Sequence, residues 1–240
     1  MARRHVNARP TPAMPSTAPA SGLSRRAPAA EDALVPPDTR TDPEARWQAL
    51  RAQAAGCREC PLGFHATQTV WGEGDLHAPL MLVGEQPGDQ EDRQGRPFVG
   101  PAGQLLARAL QALGWPRERL YVTNAVKHFK YEWRGTRRMH KTPGQREAAA
   151  CLHWLEGEIQ TVRPRALVAL GATAARSLLH RAVPVTRERG QWLVRADGRP
   201  VLVTLHPSAL LRLRGPDREA AYAQWVEELR RAETHLPPAG

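Results

Sequence analysis

Three cysteines in 240 residues are too few, and odd in number, for a closed disulfide framework. The chain is therefore expected in a reducing compartment. No apolar run approaches the ~20 residues that cross a bilayer, and no apolar stretch of signal-peptide form follows Met1. These absences point to a soluble, cytoplasmic protein, expected as a monomer with no membrane partner. Acid is also in short supply: 24 Asp and Glu stand against 34 Lys and Arg, leaving a net charge of +10. Such an excess favours an anionic partner, most commonly nucleic acid. Arg-rich composition can also reflect genome bias, so basic residues inform chiefly where they cluster.

What is present divides unevenly. Residues 1–42 are rich in Pro, Ala, Ser and Arg without helical or strand period, and read as a disordered basic arm. Residues 43–235 carry the periodic patterns of one domain, with a short tail at 236–240. Asp42 and Pro43 open a helix that ends at Gly56. Four apolar runs read as buried strands: Leu80–Val83, Leu120–Val126, Ala166–Leu170 and Val201–Leu205. Helical patterns at Ala102–Leu113, Gln145–Val162 (Ala149, Leu152, Leu155 and Ile159 inward), Ala172–Leu179 and Asp217–Thr234 alternate with them. Trp192–Val194 and Arg199–Val203 read as a hairpin. The alternation predicts an α/β fold, a three-layer α/β/α sandwich around a mostly parallel four-stranded sheet. In such sheets ligands bind off the carboxyl ends of the strands, and polar, chemically able segments follow each run there.

The densest charge lies just past the second run. From Lys127 to Arg146 there are seven Lys or Arg and one acid, Glu132, with Tyr131 and Trp133 among them. Basic residues interleaved with aromatics suit a phosphate backbone and unstacked bases. The alternative is a solvated basic loop.

Five segments in order carry a resemblance: Gly84 to Asp92 (GEQPGDQED), Pro97 to Gly103 (PFVGPAG), Thr123 to His128 (TNAVKH), Arg137 to Pro143 (RRMHKTP) and Leu205 to Ser208 (LHPS). Together they resemble the uracil-DNA glycosylase superfamily. Within it they are most similar to the iron–sulfur, family 4-like branch, and above all to the UdgX group, whose members become covalently trapped on uracil-containing DNA. The resemblance implies a partner, uracil-containing DNA, including single-stranded DNA. It implies that Glu85 stabilises positive charge developing on the sugar and that Gln86 shapes the pocket. Phe98 would stack on an extruded base. Asn124 would read the uracil edge with its donor–acceptor amide. His206, followed by Pro207 and Ser208, would stabilise the departing uracil anion. Each has a plainer reading: an acidic turn, a core plug, a turn residue, a hydrogen-bonded strand-end His. Leu210 and Leu211 fit either a duplex wedge or the core.

Cys57 and Cys60 form a tight chelating pair, and Cys151 is the remaining cysteine. A cubane cluster needs four ligands. Where cysteine-only relatives place their fourth, this chain has His128. The resemblance thus implies a [4Fe–4S] cluster on Cys57, Cys60, His128 and Cys151. A Zn²⁺ site is the competing reading, because three Cys and one His are a common zinc set. His65 and His153 are lesser candidates for the fourth position.

UdgX-like proteins carry a loop of the form KRRIH whose His becomes bonded to C1′ of the deoxyribose. Here Thr136 replaces the first Lys, Met139 replaces Ile, and the preceding segment is about two residues shorter. By resemblance His140 is the nucleophile, with Arg137, Arg138 and Lys141 gripping phosphates. The expected function is uracil excision with single-turnover covalent capture, in DNA repair. The alternatives are a multiple-turnover glycosylase that leaves an abasic site, and a non-enzymatic nucleic-acid module with a structural metal.

Overall fold

The structure is a computed structural model and describes residues 42–236. The N-terminal arm and the C-terminal tail lie outside the described residues, apart from Asp42 and Leu236.

In chain order the strands are β1 (Glu73–Gly74), β2 (Leu80–Gly84), β3 (Tyr121–Asn124), β4 (Tyr131–Arg134), β5 (Arg137–His140), β6 (Ala166–Leu170), β7 (Gln191–Val194) and β8 (Pro200–Thr204). The helices are α1 (Pro43–Ala55), α2 (Leu62–His65), α3 (Asp89–Gln94), α4 (Pro101–Leu113), α5 (Gln145–Ala150), α6 (Leu152–Val162), α7 (Ala172–Leu179), α8 (Val185–Glu188), α9 (Pro207–Leu210) and α10 (Pro216–Arg230). Asp42 caps α1 as its residue type predicts, its carboxylate accepting from the Glu44 N–H at 2.9 Å.

The sheet order is β1-β3-β2-β6-β8-β7. The four expected strands form a parallel core, in register Val83↔Thr123, Val83↔Ala169 and Ala169↔Val203. β1 and β7 add antiparallel edges, so the sheet has six strands rather than four. The β7–β8 pair is the expected hairpin. β1, only two residues long, carries no hydrophobic run that sequence pattern could register.

Every residue of β2 and β6 is buried, because both sheet faces are covered. Leu82, Val122, Val168 and Leu202 pack one face against Leu106 and Leu110 of α4 and Trp225 and Leu229 of α10. Met81, Val83, Ala169 and Val203 pack the other against Leu155 and Ile159 of α6 and Leu178 of α7. The three layers are those expected.

Two local expectations are corrected. The pattern over Gln145–Val162 is two helices, not one, broken at Cys151; the break turns the first face, so Ala148 is buried and Ala149 exposed. The basic segment after β3 is not a loop but the two-stranded hairpin β4–β5. Its connection is the two-residue turn Gly135-Thr136, with Gly135 at φ 58°, the position where a tight hairpin turn needs glycine. That minimal turn is how the shorter segment still closes.

Beneath the end of β3 lies a fully buried ion pair, Lys127 Nζ to Glu158 Oε2 at 2.5 Å, both side chains without exposure. Lys127 also donates to Thr123 Oγ1 (2.7 Å) and to the Asn124 carbonyl (2.8 Å). Glu158 accepts in addition from Thr123, Tyr121 and the Gly72 N–H. Removing one partner strands a charge in the interior. Lys127→Met is therefore expected to cost about 3–5 kcal/mol in urea denaturation, and the double change Lys127→Met with Glu158→Leu to cost less than the single one.

Candidate active site

A cavity of about 500 Å³ opens off the carboxyl ends of β2, β3 and β8, where an open α/β sheet binds its ligands. Asn124, the last residue of β3, and Phe98 form part of its wall. Gly84 at the end of β2 makes their approach possible: a Cβ there would lie 2.3 Å from Asn124 Oδ1 and 2.5 Å from the Phe98 ring. Phe98 combines the two readings, reaching the cavity while packed against the core. It is 7% exposed, held at φ 56°, and its carbonyl packs where a side chain on Gly103 would stand.

His206 follows β8 and faces Phe98 with ring centres 6.0 Å apart. The Ser208 N–H donates to His206 Nδ1 at 3.2 Å, and the Ser208 hydroxyl lies 2.8 Å from the same nitrogen. A backbone N–H can only donate, so Nδ1 is the unprotonated nitrogen and Nε2 carries the hydrogen. Burial, with His140 and Arg212 nearby, lowers the His206 pKa to about 4. The ring is thus neutral near pH 7 with one N–H to offer an anion.

His140, the last residue of β5, lies at the cavity with its Nε2 3.4 Å from Glu85 Oε1. The other Glu85 oxygen accepts from Thr173 Oγ1 of α7 at 2.8 Å. Burial lowers the His140 pKa; Glu85 opposes that shift and Arg212 adds to it.

The hairpin is fixed by two locks. Gln86 lines the cavity, but its amide is spent on the hairpin's base. It donates to the carbonyls of Lys130 (3.2 Å) and Lys141 (3.0 Å) and accepts from the Lys130 N–H. Arg138, expected on phosphates, is instead committed to protein: it pairs with Asp89 and Asp92 of α3 at 2.5 and 2.6 Å and covers the rings of Phe129 and Tyr131. Asp92 is fully buried and Asp89 partly exposed, and two acceptors at fixed distance hold a guanidinium more firmly than solvent would. Arg137 is exposed, and Lys141 reaches Glu132 at 2.9 Å while half-exposed. Of the two leucines, Leu210 is core and Leu211 sits at the cavity.

About the turn after β3, the chain leads from this cavity to a second cluster. Cys57 and Cys60, between α1 and α2, share a buried cluster with Cys151, Trp71 and Trp154, and the buried ring of His128 is tied to Ala54 of that cluster through Thr69. Cys151 hydrogen-bonds Cys60 and draws its pKa down to about 6; the same contact, with burial, raises that of Cys151. Thr69 spends its hydroxyl proton on the Ala54 carbonyl and so accepts from His128 Nε2 at 2.9 Å. Nδ1 of His128 is then the lone-pair nitrogen, and it is buried without a hydrogen-bond partner. Such a buried, orphaned acceptor suits a metal ligand. His65 is exposed, and His153 is engaged with Glu59 at 3.2 Å. Among the described residues no three His, Cys, Asp or Glu converge closely enough to hold a single metal ion.

Sequence reasoning missed Gly84, Thr173 and Arg212. Gly84 stood inside a quoted motif, and its position at the strand end was the available signal. Thr173 and Arg212 carried none, since only the fold brings them to Glu85 and the two histidines.

The fold and cavity define an α/β protein with a ligand-sized cavity at the ends of its parallel strands, lined by an aromatic ring, an amide and two imidazoles. The sequence model of the uracil DNA glycosylase superfamily matches residues 71–230. The chain belongs to that family. It is 37% identical over 185 residues to a type-4 uracil-DNA glycosylase of Thermotoga maritima, covering 77% of this chain and 91% of that protein. It is 38% identical over 172 residues to a type-4 uracil-DNA glycosylase of Pyrobaculum aerophilum, covering 69% and 84%. A type-5 uracil-DNA glycosylase of the same archaeon is 34% identical over 172 residues, 62% of this chain and 72% of that protein.

The electrostatic arrangement has a direct check. By NMR, His206 is expected to titrate near pH 4 and His140 below the usual histidine range. Removing the Arg212 charge lessens the penalty on each imidazolium, so Arg212→Gln should raise both values.

Proposed function

We propose that this chain is a uracil-DNA glycosylase of the iron–sulfur branch that ends its reaction bonded through His140 to the deoxyribose. The observation that carries the reading is the 3.4 Å separation of His140 Nε2 and Glu85 Oε1 at the cavity. No water fits in line between atoms so close, so a sugar carbon brought there meets an imidazole where a conventional enzyme would offer solvent.

In this reaction the flipped uracil enters the cavity, stacks on Phe98 and pairs with the Asn124 amide. The bond between C1′ and the base nitrogen stretches, and its electron pair leaves with uracil. Glu85 favours the cationic sugar, and the Nε2–H of His206 donates to the anionic base. A neutral imidazole nitrogen of His140 gives its lone pair to C1′, and the resulting imidazolium passes its remaining N–H proton to solvent, which the part-exposed ring reaches. The low pKa of His140 supports this role, since only the neutral ring is a nucleophile. Membership of the family and the names of the type-4 relatives support the substrate, uracil in DNA. No helix among the described residues is long and apolar enough to cross a membrane, and we assign the protein to the cytoplasm as a monomer.

Cys57, Cys60, Cys151 and His128 would hold the [4Fe–4S] cluster, which would tie the segment after α1 to the turn after β3 and to the break between α5 and α6. The unpartnered Nδ1 of His128 supports a ligand there. The similarity to type-4 uracil-DNA glycosylases supports a cluster over Zn²⁺. Arg137 and Lys141 would contact phosphates, whereas Arg138 would act through the hairpin it anchors. Ser208 would act through the tautomer it imposes on His206.

Two experiments test this. Mixed with single-stranded DNA containing one uridine, the protein is expected to give a shifted band on a denaturing gel. His140→Ser should lose the band and leave abasic DNA. A denaturation-resistant complex from His140→Ser would overturn the nucleophile. Free abasic DNA from the wild type would favour ordinary turnover, and intact DNA a non-enzymatic binder. Separately, the purified protein should absorb broadly in the visible and contain about four iron atoms per chain; colourless protein with one zinc per chain would end the cluster assignment.

A further inference from the structure

We propose that Trp133 is a stacking platform for the nucleobase next to the flipped uridine on single-stranded DNA. The inference rests on the function proposed above and adds a second base-binding subsite to it.

Trp133 is 61% exposed, although tryptophan is the side chain that gains most from burial. A single exposed apolar residue needs no explanation, but this one is held in a defined place. It lies on β4 opposite Arg138, and Tyr131 lies opposite His140. Directly paired residues and residues two apart share a face, so Trp133 projects from the hairpin face that bears His140. The strand rise puts it about 7 Å along the hairpin from the Tyr131–His140 pair, the spacing of neighbouring nucleotides in an unstacked strand.

The indole is also braced. Tyr131 packs edge-to-face against it with centres 5.6 Å apart and interplanar angle 89°. Tyr131 in turn donates to the His65 carbonyl at 3.1 Å and lies under the Arg138 guanidinium. An aromatic ring fixed before binding loses little entropy when a base stacks on it. The charge around it fits a nucleic acid strand: Arg134 and Arg137 are exposed beside the turn, and Glu132 is the single acid of the hairpin. The surface is continuous with the cavity through His140, which shares the face of Trp133 and lines the cavity. Stacking is indifferent to base identity, since every base has a π-face. The subsite therefore strengthens binding without adding sequence preference.

The test measures anisotropy of a labelled single strand carrying 2′-fluorinated deoxyuridine, which resists cleavage. Trp133→Ala is expected to weaken binding roughly tenfold, and Trp133→Phe to retain most of it. An abasic residue at one of the two positions flanking the uridine should cost the wild type a similar factor and cost Trp133→Ala nothing. Wild-type affinity in Trp133→Ala, or equal sensitivity of both proteins to the abasic residue, would overturn the subsite while leaving uracil recognition intact. A wild type that binds the uridine strand no better than a thymidine strand would instead sink the glycosylase reading, and the subsite with it.

Discussion

The contact between Lys127 and Glu158 sits where every functional part of the molecule meets. Neither charge is exposed, and an ion pair taken out of water holds only where geometry and further hydrogen bonds offset the lost hydration. Here they do: the ammonium has three acceptors, and the carboxylate collects donors from β3, from Lys127 and from the Gly72 backbone. The consequence is positional. Lys127 clasps the Asn124 carbonyl, so the turn leaving β3 has one conformation. Upstream of that turn is the residue at the cavity wall, and downstream is His128, tied through Thr69 to Ala54 of α1. Glu158 rides on α6, which starts immediately after Cys151. One helix thus braces, through Lys127, the turn at Asn124 and also lines the cysteine cluster.

Burial on both faces made the parallel core legible. Leu80 to Val83 and Ala166 to Leu170 are continuous apolar runs because helices cover both sides of the sheet. Edge strand β1 has no such run and was invisible. The β4–β5 hairpin was hidden for a different reason. Its alternation places Tyr131, Trp133, Arg138 and His140 on one face, and an Arg in that set disguises a period read by hydrophobicity. Only the ion pairs with Asp89 and Asp92 make that face coherent. The acids sat in the first quoted motif and the arginine in the fourth, 46 residues from Asp92. Resemblance brought both motifs into view, but neither motif says that they neutralise each other. The same limit applies to Gln86, which lines the cavity while its amide faces the hairpin backbone.

These locks bear on the choice between an imidazole and water in the proposed reaction. A hairpin held only by its ends would let His140 swing out and admit solvent beside Glu85. Gln86 binds both ends of the hairpin, and Arg138 pins its middle to α3, so the ring is confined to its place next to the carboxylate. Glu85 is confined as well, since Thr173 holds one of its oxygens and leaves the other toward His140. Attack by a group already in place avoids the entropy of capturing a water molecule. The same confinement acts after bond formation. Hydrolysis of the proposed adduct requires the bond between C1′ and the imidazole nitrogen to break, and a ring that Arg138 and Asp92 help to hold in place recombines with the sugar more readily than it departs. A strong lock therefore favours both a fast first step and a persistent product, two properties a multiple-turnover enzyme could not combine.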